Sequence, residues 1–448
     1  MAEADARSRT QLRRAVLSSY LGSVIEYYDF LLYATASAVV FAKVFFSTLD
    51  PLVGTVASFG TLATGYLARP LGGILFGHFG DRVGRKKMLV VTMTLMGVVS
   101  VLIGVLPTYA QIGVWAPILL VLLRVLQGVA VGGEWGGAVL MSAEHATSRR
   151  GLWASFTNAG APSGMVLSTA ALAGAAAVAG EQGFLSWGWR IPFLLSAVLL
   201  AVGLFVRARV EETPVFARAS SDAAPSAPPL LEVLRRHPRN LLLSIGIGFG
   251  AFVAQGVLTT FVIAYAVQAG FARQTVLNAL TVSSIAAIVG IIGFAALSDR
   301  VGRRPVVLVG ALAMTVWAFL LFPLVDSGST ALLVLGVVVG QGVVHAAMYG
   351  PLAALYTELF STRARYTGAS LGYQVAGIGA GLGPVVFASL LQGSGSALLV
   401  SVVIAACCVL TVVCVLAAGE TSRRGLDDTD DTDAQPATVR PRSDTTTA

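Results

Sequence analysis

Long apolar stretches with very few charges dominate this chain of 448 residues. Hydrophobic residues make up 56% of the sequence and charged residues only 12%, against roughly 25% charged in soluble domains. About 20 apolar residues in a helix are enough to cross the roughly 30 Å hydrocarbon core of a bilayer. Twelve such stretches can be placed, at residues 17–42, 52–78, 88–107, 114–143, 152–179, 188–206, 240–268, 275–297, 305–325, 331–358, 366–391 and 396–418. The sequence therefore predicts an all-α integral membrane protein with 12 transmembrane helices.

A short charged segment recurs at the same place in each half of the chain. Residues 77–87, here called the first hinge, read Gly-His-Phe-Gly-Asp-Arg-Val-Gly-Arg-Lys-Lys. The second hinge, residues 299–304, lies 218 positions later and repeats Asp-Arg-Val-Gly-Arg, so that Asp81, Arg82, Gly84 and Arg85 correspond to Asp299, Arg300, Gly302 and Arg303. Gln127, Gly128 and Glu144 return 214 positions later as Gln341, Gly342 and Glu358. This self-similarity predicts two homologous halves.

The basic residues are concentrated in alternate loops. If both termini face the cytoplasm, 25 Lys and Arg residues, Arg207 among them, lie in cytoplasmic segments and 3 in external ones. The positive-inside rule favours this orientation. The net charge of +7 is thus explained by topology, and we expect no nucleic-acid partner. We expect a multi-pass protein of the cell membrane that acts as a monomer in the lipid bilayer.

The predicted domains follow from the apolar stretches. A cytoplasmic N-terminal tail (1–16) precedes an N-terminal six-helix bundle (17–206), and a Pro-containing cytoplasmic linker (207–239) leads to a C-terminal six-helix bundle (240–418). The remaining residues, 419–448, are rich in Asp and Thr and lack apolar residues for a core. We therefore expect this cytoplasmic tail to be disordered.

No motif indicates an enzyme, a cofactor or a metal site. The three cysteines, Cys407, Cys408 and Cys414, lie in the last apolar stretch at spacings that no metal or disulfide framework uses. The sequence also has no Gly-Lys dipeptide, and hence no phosphate-binding loop. Free energy for any work must therefore come from a gradient.

Charged residues within the apolar stretches need an explanation; they are Glu26, Asp29, Arg69, Arg124 and Glu134. At about 3 kcal/mol each near the bilayer centre, five such groups would cost roughly 15 kcal/mol, comparable to the whole stability of a domain. They must be paired or hydrated. One interpretation is a set of structural ion pairs between helices. The other is a polar cavity in which a carboxylate near an arginine takes up and releases a proton, because burial favours its neutral form and a nearby cation its charged form.

The repeated hinge resembles the signature loop of the major facilitator superfamily, which joins the second and third helices of each six-helix half. Five segments together are similar to its metabolite:proton symporter family, which imports proline and betaine, 2-oxoglutarate, citrate or shikimate. They are Glu-Tyr-Tyr-Asp-Phe (26–30), Ala-Arg-Pro-Leu-Gly-Gly (68–73), Gly-Val-Trp-Ala-Pro (113–117), 124–137 with Gly-Gly-Glu-Trp-Gly-Gly, and Gly-Trp-Arg-Ile-Pro (188–192). The resemblance covers residues 18–418 and implies the major facilitator fold, with two six-helix bundles.

The resemblance also implies roles for individual residues. Proton-coupled relatives carry an acidic residue in span 1 and an arginine in span 4, so Asp29 and Arg124 are predicted as the proton-coupling pair, with Glu26 as the alternative carboxylate. Tyrosines at helical spacing are more often packing residues, but a cavity would bring several polar side chains to the substrate. The candidate substrate contacts are Tyr33, Arg69, Glu134, Asn158, Tyr373 and Gln374.

The hinges and the inner ends of spans 4 and 10 are predicted to form a cytoplasmic gate. Salt bridges among their charges would hold the cytoplasmic side closed in the outward-open state. The alternative is a pair of short turns that carry only positive-inside charge. The gate residues are Gly77, Asp81, Arg82, Gly84, Arg85 and Glu144 in the first half and Asp299, Arg300, Arg303 and Glu358 in the second.

The predicted function is import of a small polar metabolite together with a proton, by alternating access of a central site. The substrate class stays open between a carboxylate, such as shikimate or a dicarboxylate, and a zwitterionic osmolyte, such as proline or betaine. Two intramembrane arginines favour an anion, but the family's zwitterion carriers have similar residues. The alternatives are a proton-linked exporter of drugs or metabolites with the same fold and, less favoured, a membrane sensor that binds a solute without moving it.

Overall fold

The computed structural model describes residues 2–49, 51–213, 229–362 and 364–422. Residues 214–228 of the predicted linker and 423–448 of the predicted disordered tail lie outside the described residues. Within the described ranges the chain is helical with short connections, and these ranges contain no β-strand. The predicted all-α class is therefore confirmed.

Six long helices form the N-terminal half. They are α1 (Ala2–Ala36), α2 (Pro51–Val83), α3 (Arg85–Val105), α4 (Trp115–His145), α5 (Arg150–Gly183) and α6 (Arg190–Ala208). A π-helical turn, Ser37–Phe41, extends α1. Because α1 already begins at Ala2, the residues predicted as an N-terminal tail form the first turns of this helix. They are held there in part by Ala15, which is buried in a small apolar cluster with Leu89 and Met141.

Six further helices form the C-terminal half, after a short linker helix at Pro229–Arg236. They are α7 (Pro238–Gly256), α8 (Arg273–Val301), α9 (Arg303–Asp326), α10 (Thr330–Val339), α11 (Arg365–Ser394) and α12 (Leu398–Ala418). A π-helical segment, Val257–Phe261, continues α7 into Val262–Gln268. Another, Gly340–His345, continues α10 into Ala346–Tyr349, and Leu352–Glu358 follows it.

The helices are long and apolar enough for a membrane protein. Among the described residues, the ten helices α3 to α12 qualify as membrane spans by length and composition. Helices α1 and α2, with 35 and 33 residues, complete the twelve. Apolar side chains such as Val289 and Val309 lie exposed on the outside, as they must where lipid is the solvent.

The hinge glycines are required by the backbone. Gly84 separates α2 from α3 with a φ of 119°, and Gly302 separates α8 from α9 with a φ of 104°. Residues with a Cβ are strained at such angles, whereas glycine adopts them readily. The sequence repeat therefore places the same sharp turn in both halves.

Close helix packing depends on small residues. Gly128 and Gly132 of α4 contact the backbone of α2 at Gly65 and Arg69 so closely that a Cβ would not fit. This agrees with their four-residue spacing, which gives a helix a thin side. Between the halves, α2 packs against α11 and α5 against α8. These two symmetry-related contacts flank a central space.

Candidate functional site

A cavity lies between the two halves. Its walls come from α1, α2 and α5 on one side and from α7, α8, α10 and α11 on the other. It encloses about 720 Å³ of empty space including its open mouth. The walls of the cavity stand close together. The π-helical segments of α7 and α10 both contribute, through Thr259 and Thr260 and through Gln341 and His345, which is typical of π-helical turns at functional sites.

Among the described residues that line this cavity, Arg69 is the only residue of the four types Asp, Glu, Lys and Arg. It is 3% exposed, and its Nε donates a hydrogen bond to Gln374 Oε1 at 2.8 Å. Its Nη2 lies 3.9 Å from Glu26 Oε1, close enough for charge attraction but too far for a hydrogen bond. Arg69 Nη2 therefore has no hydrogen-bond partner. The structure brings together three of the predicted residues, Glu26, Arg69 and Gln374.

A tyrosine cluster joins the two halves beside the cavity. The Tyr373 hydroxyl lies 3.2 Å from that of Tyr27 and also hydrogen-bonds that of Tyr349. Trp135 of α4 stacks on the Tyr373 ring with centroids 3.5 Å apart. Tyr27 and Tyr349 line the cavity, whereas Tyr373, a predicted substrate contact, is fully buried next to them.

Asp29 and Arg124, whose side chains the structure describes, do not form an ion pair in this conformation. Asp29 is fully buried and accepts a hydrogen bond from Ser196 of α6 at 2.5 Å. Arg124 donates to Gln127 Oε1 at 2.5 Å, and Gln127 Nε2 donates to Ser100 at 2.8 Å. The Ser100 side chain also lies next to the Asp29 carboxyl. Ser100 and Gln127 thus connect the two residues predicted to couple proton and substrate.

Aromatic rings hold the Arg124 guanidinium. Its Cζ lies 4.0 Å from the centroid of Phe30 and 4.1 Å from that of Tyr33. Phe30 lines the cavity, so one ring is shared between Arg124 and the cavity wall. Tyr33, a predicted substrate contact, is fully buried instead and donates to Thr61 at 2.6 Å.

Glu134 lies away from the described cavity wall. It forms a buried ion pair with Arg207 of α6 and accepts a hydrogen bond from Thr92 at 2.8 Å. Arg207 is only 2% exposed, although the sequence placed it among the loop charges. This pair therefore follows the structural interpretation of the buried charges, and the structure does not support Glu134 as a substrate contact.

Asn158 also has a structural environment. It accepts a hydrogen bond from Trp135 Nε1 at 2.9 Å and donates one to the carbonyl of Tyr349 at 2.8 Å. Both ends of its side-chain amide are therefore used within the protein. The structure places Asn158 behind the tyrosine cluster rather than among the described residues that line the cavity.

Each hinge aspartate caps a helix of the opposite half. Asp81 accepts hydrogen bonds from the N–H groups of Tyr366 and Thr367, in the first turn of α11, at 3.2 and 3.0 Å. Asp299 accepts from two N–H groups at the start of α5, both at 2.8 Å. Helix N-termini favour a negative charge because their first N–H groups lack helical partners. Both contacts hold the halves together at the hinge end, the end of the molecule that carries the two hinges.

A buried carboxylate accompanies the first hinge. Glu144 forms an ion pair with Arg85 at 2.8 Å and accepts a hydrogen bond from Arg365 at 3.3 Å. Arg365 belongs to α11, so this ion pair also crosses between the halves. Gly77 permits the close approach of α11, because a Cβ there would lie 2.8 Å from Thr367 Cα.

A buried arginine accompanies the second hinge. Arg303 binds Asp299 at 2.7 Å and Glu358 at 3.2 Å, all within the C-terminal half. By contrast, Arg82 and Arg300 are exposed and form no hydrogen bond or ion pair with the described residues. These two predicted gate residues therefore take no part in the closed hinge end.

Two glutamates outside the predicted gate complete the hinges. Glu420 accepts from the first two N–H groups of α9 at 2.9 and 3.1 Å, and Glu212 accepts from Lys86 N–H in the first turn of α3 at 3.2 Å. Burial opposes ionisation of Glu420, but the N–H groups of Ser422 and α9 together bring the pKa of its carboxyl below the ordinary value. A Glu-Thr dipeptide after both α6 and α12 was the available signal.

Two homologous helical bundles with a cavity between them, closed at one end, are the architecture of a membrane transporter rather than of an enzyme. The chain matches the model of the Major Facilitator Superfamily over residues 20–296 and 278–444. It is 41% identical to the shikimate transporter of Escherichia coli (strain K12) over 390 residues, which cover 86% of this chain and 89% of that protein. The protein therefore belongs to the major facilitator superfamily and, within it, to the metabolite transporters.

Other relatives carry different substrates. The chain is 34% identical to the glycine betaine/proline/ectoine/pipecolic acid transporter OusA of Dickeya dadantii (strain 3937), with 86% of this chain and 78% of that protein covered. The fold is similar to a solved structure of the proton:xylose symporter XylE bound to 6-bromo-6-deoxy-D-glucose. The TM-score is 0.73 at 18% identity, with 94% of this chain and 99% of that chain covered.

Proposed function

We propose that this protein imports a small polar metabolite together with a proton, as a monomer with its hinge end and both termini in the cytoplasm. The observation that carries the proposal is a cavity lined by both halves. At the hinge end of the molecule, hydrogen bonds and an ion pair between the halves close this cavity. With that end cytoplasmic, this conformation is closed to the cytoplasm. Alternating access then consists of breaking the bonds from Asp81, Asp299 and Glu144 to the opposite half, so that the halves rock about the cavity.

Proton coupling is assigned to the buried carboxylates of α1. Asp29 and Glu26 each have one oxygen without a hydrogen-bond partner. A proton on Asp29 removes the charge that faces Arg124 through Ser100 and Gln127, which allows Arg124 to rearrange as substrate binds. One charge moved through 100 mV is worth about 2.3 kcal/mol, enough for roughly a 50-fold accumulation.

Arg69 of the N-terminal half and its hydrogen-bond partner Gln374 on α11 of the C-terminal half are the proposed substrate contacts, with the tyrosine cluster next to them. Both halves contribute tyrosines to this cluster, so a substrate bound beside it interacts with both halves. The names of the relatives support a small polar metabolite, but they include a carboxylate and zwitterions. The substrate has to be identified by transport.

The test uses purified protein in liposomes with an imposed proton gradient. Labelled shikimate, 2-oxoglutarate, citrate, proline and betaine are offered with and without a protonophore. We expect one class to accumulate and the protonophore to abolish its accumulation. Asp29→Asn is expected to keep downhill exchange but lose accumulation.

Asp326→Asn is the matched control, because Asp326 is a carboxylate at the end of α9 that accepts a hydrogen bond from Tyr265 at 2.7 Å outside the cavity wall. It should behave like the unmodified protein. Proton-dependent accumulation by Asp29→Asn would contradict the assignment of Asp29. Substrate movement only outward, against an inward proton flow, would show an exporter instead.

A further inference from the structure

We propose that the cavity takes a hydroxylated monocarboxylate, with its carboxylate at Arg69 and its hydroxyl groups at His345, Gln341 and Gln255. This assignment rests on the proposed function, because it names the substrate class of the same cavity. Each wall of the cavity leaves hydrogen-bonding groups unused, and these groups carry the assignment.

The N-terminal wall offers one site for one anion. Arg69 has a nitrogen without a hydrogen-bond partner, and the nearest carboxylate, Glu26, is 3.9 Å from it. A guanidinium binds a carboxylate through charge-assisted hydrogen bonds. The described residues of the opposite wall include no Lys or Arg, so a second carboxylate would be buried there without a cation. The cavity therefore favours a monocarboxylate over a dicarboxylate.

The cavity is poorly suited to a quaternary ammonium group. Such a cation needs a carboxylate or free aromatic faces, and no Asp or Glu is found among the described lining residues. Phe30 and Tyr66 already lie 5.5 Å from the Arg69 Cζ, and Phe30 also contacts Arg124 at 4.0 Å. These guanidinium groups use the rings of Phe30 and Tyr66 and repel a second cation.

His345 supplies a hydrogen-bond acceptor that a hydroxyl group can satisfy. It is 3% exposed and lines the cavity. Its Nε2 lies 3.1 Å from the carbonyl of Ala251, which can only accept, so the proton of the neutral imidazole is on Nε2. Nδ1 is then an acceptor, and it has no partner. A carboxylate has no proton to donate to it, whereas a substrate hydroxyl does.

Two glutamines add donors to the same wall. Gln341 Oε1 accepts from Ser283 at 2.6 Å, which leaves the Gln341 NH2 group for a ligand. Gln255 also lines the cavity, and its side-chain amide makes no hydrogen bond to the described residues. A hydroxyl group both donates and accepts, so it matches a wall that presents an acceptor beside donors.

The test compares a ligand with its hydroxyl-free analogue. Binding of shikimate and of 1-cyclohexene-1-carboxylate to the purified full-length protein is measured by titration calorimetry. We expect shikimate to bind at least 10-fold more tightly, and glycine betaine and 2-oxoglutarate to bind at least 10-fold more weakly than shikimate. His345→Ala should weaken shikimate about 10-fold, as expected for one lost hydrogen bond, and change the analogue less than twofold. Arg69→Gln should weaken both carboxylates.

Two further variants separate recognition from folding. His345→Asn keeps an acceptor near the position of Nδ1 and should restore part of the shikimate affinity. His145→Ala removes another buried imidazole, whose Nδ1 lies 2.8 Å from the carbonyl of Met141 outside the cavity wall, and should leave both affinities unchanged. Equal weakening of shikimate and its analogue by His345→Ala would overturn the proposal.

The outcomes also distinguish this assignment from the proposed import. Proton-driven uptake of betaine or 2-oxoglutarate, with no binding of shikimate, would overturn the substrate class and leave import intact. Shikimate binding with the expected loss in His345→Ala, but without proton-driven uptake, would uphold the substrate class and overturn import.

Discussion

In the first hinge a carboxylate is shared by two arginines, whereas in the second an arginine is shared by two carboxylates. Glu144 binds Arg85 and Arg365. Arg303 binds Asp299 and Glu358. The helix caps made by the two hinge aspartates are nearly symmetric, so the difference lies in the ion pairs. It arises because the repeat aligns Arg365 of α11 with Gly151 of α5, which has no side chain to offer.

This difference shows which hinge holds the halves together more strongly. The ion pair between Glu144 and Arg365 crosses from α4 to α11, so it must break when the hinge end opens. The ion pairs of Arg303 lie within the C-terminal half and can persist. A buried pair that loses one partner is costly because a charge is left in a medium of low dielectric. Opening is therefore resisted mainly at the first hinge.

The largest expected effect comes from Glu144→Gln. It removes the counter-charge of two buried arginines, so we expect the free energy of unfolding to fall by about 3–5 kcal/mol. Glu358→Gln should cost less, because Arg303 keeps Asp299. Thermal unfolding of the two purified variants in one detergent makes the comparison. Equal losses of stability would break the proposed asymmetry.

A smaller effect is expected from Asp81→Asn and Asp299→Asn. Each substitution weakens a helix cap between the halves, and such a cap stabilises the closed conformation by about 1–2 kcal/mol. The conformation with a closed hinge end therefore becomes roughly 10-fold less populated. Uptake should be impaired while the amount of protein in the membrane is unchanged. Asp299→Asn should in addition reduce thermal stability, because it alone loses an ion pair to Arg303. Unchanged uptake kinetics in both variants would argue against a gate.

The hinge glycines give a test of backbone strain. Gly84→Ala and Gly302→Ala should each lower the free energy of unfolding by about 1–2 kcal/mol, because both positions have positive φ. Gly302→Ala should be worse, since the new Cβ would also lie 2.9 Å from Glu420 Cδ. Gly293→Ala in α8 is the control, with open space around it and an expected gain of helix stability. Melting temperatures of the three variants decide the order.

The smallest effect is expected from Glu420→Gln. The pKa of Glu420 is lowered in the folded protein, so its charge stabilises the fold above the ordinary carboxyl pKa. That contribution disappears as the pH falls through the lowered value. At pH 7 the variant should be less stable by about 0.5 kcal/mol, after allowance for solvent screening. Glu212→Gln should cost less, since its contacts to Lys86 N–H are longer, at 3.2 and 3.4 Å.

Melting curves of Glu420→Gln and the unmodified protein between pH 7 and pH 4 provide the measurement. The difference in melting temperature should shrink as the pH falls. A difference that grows at low pH would contradict the assigned direction of the pKa shift.

Part of the candidate site could be predicted from sequence. The repeat identified Asp81 and Asp299, and the structure places both at helix starts of the opposite half. The apolar context identified Glu26 and Arg69 as buried charges, and they lie near each other at the cavity. Glu134 was identified by the same argument, but its partner Arg207 was counted among the charges of the cytoplasmic loops. His345 and Gln255 were not among the predicted contacts, because a single polar residue in an apolar helix has no sequence signal for the cavity it faces.

The sequence by itself determined the number of spans, the two homologous halves and which charges must be buried, because hydrophobic length and the cost of an intramembrane charge are local properties. Only the tertiary structure decided the partners. It joined Asp29 to Arg124 through Ser100 and Gln127 rather than directly. The physical reason is that residues three or four apart share a helix face, whereas a partner on another helix depends on how closely the helices approach and how each is rotated. The side-chain volumes of the whole bundle determine both the distance between the helices and the rotation of each helix.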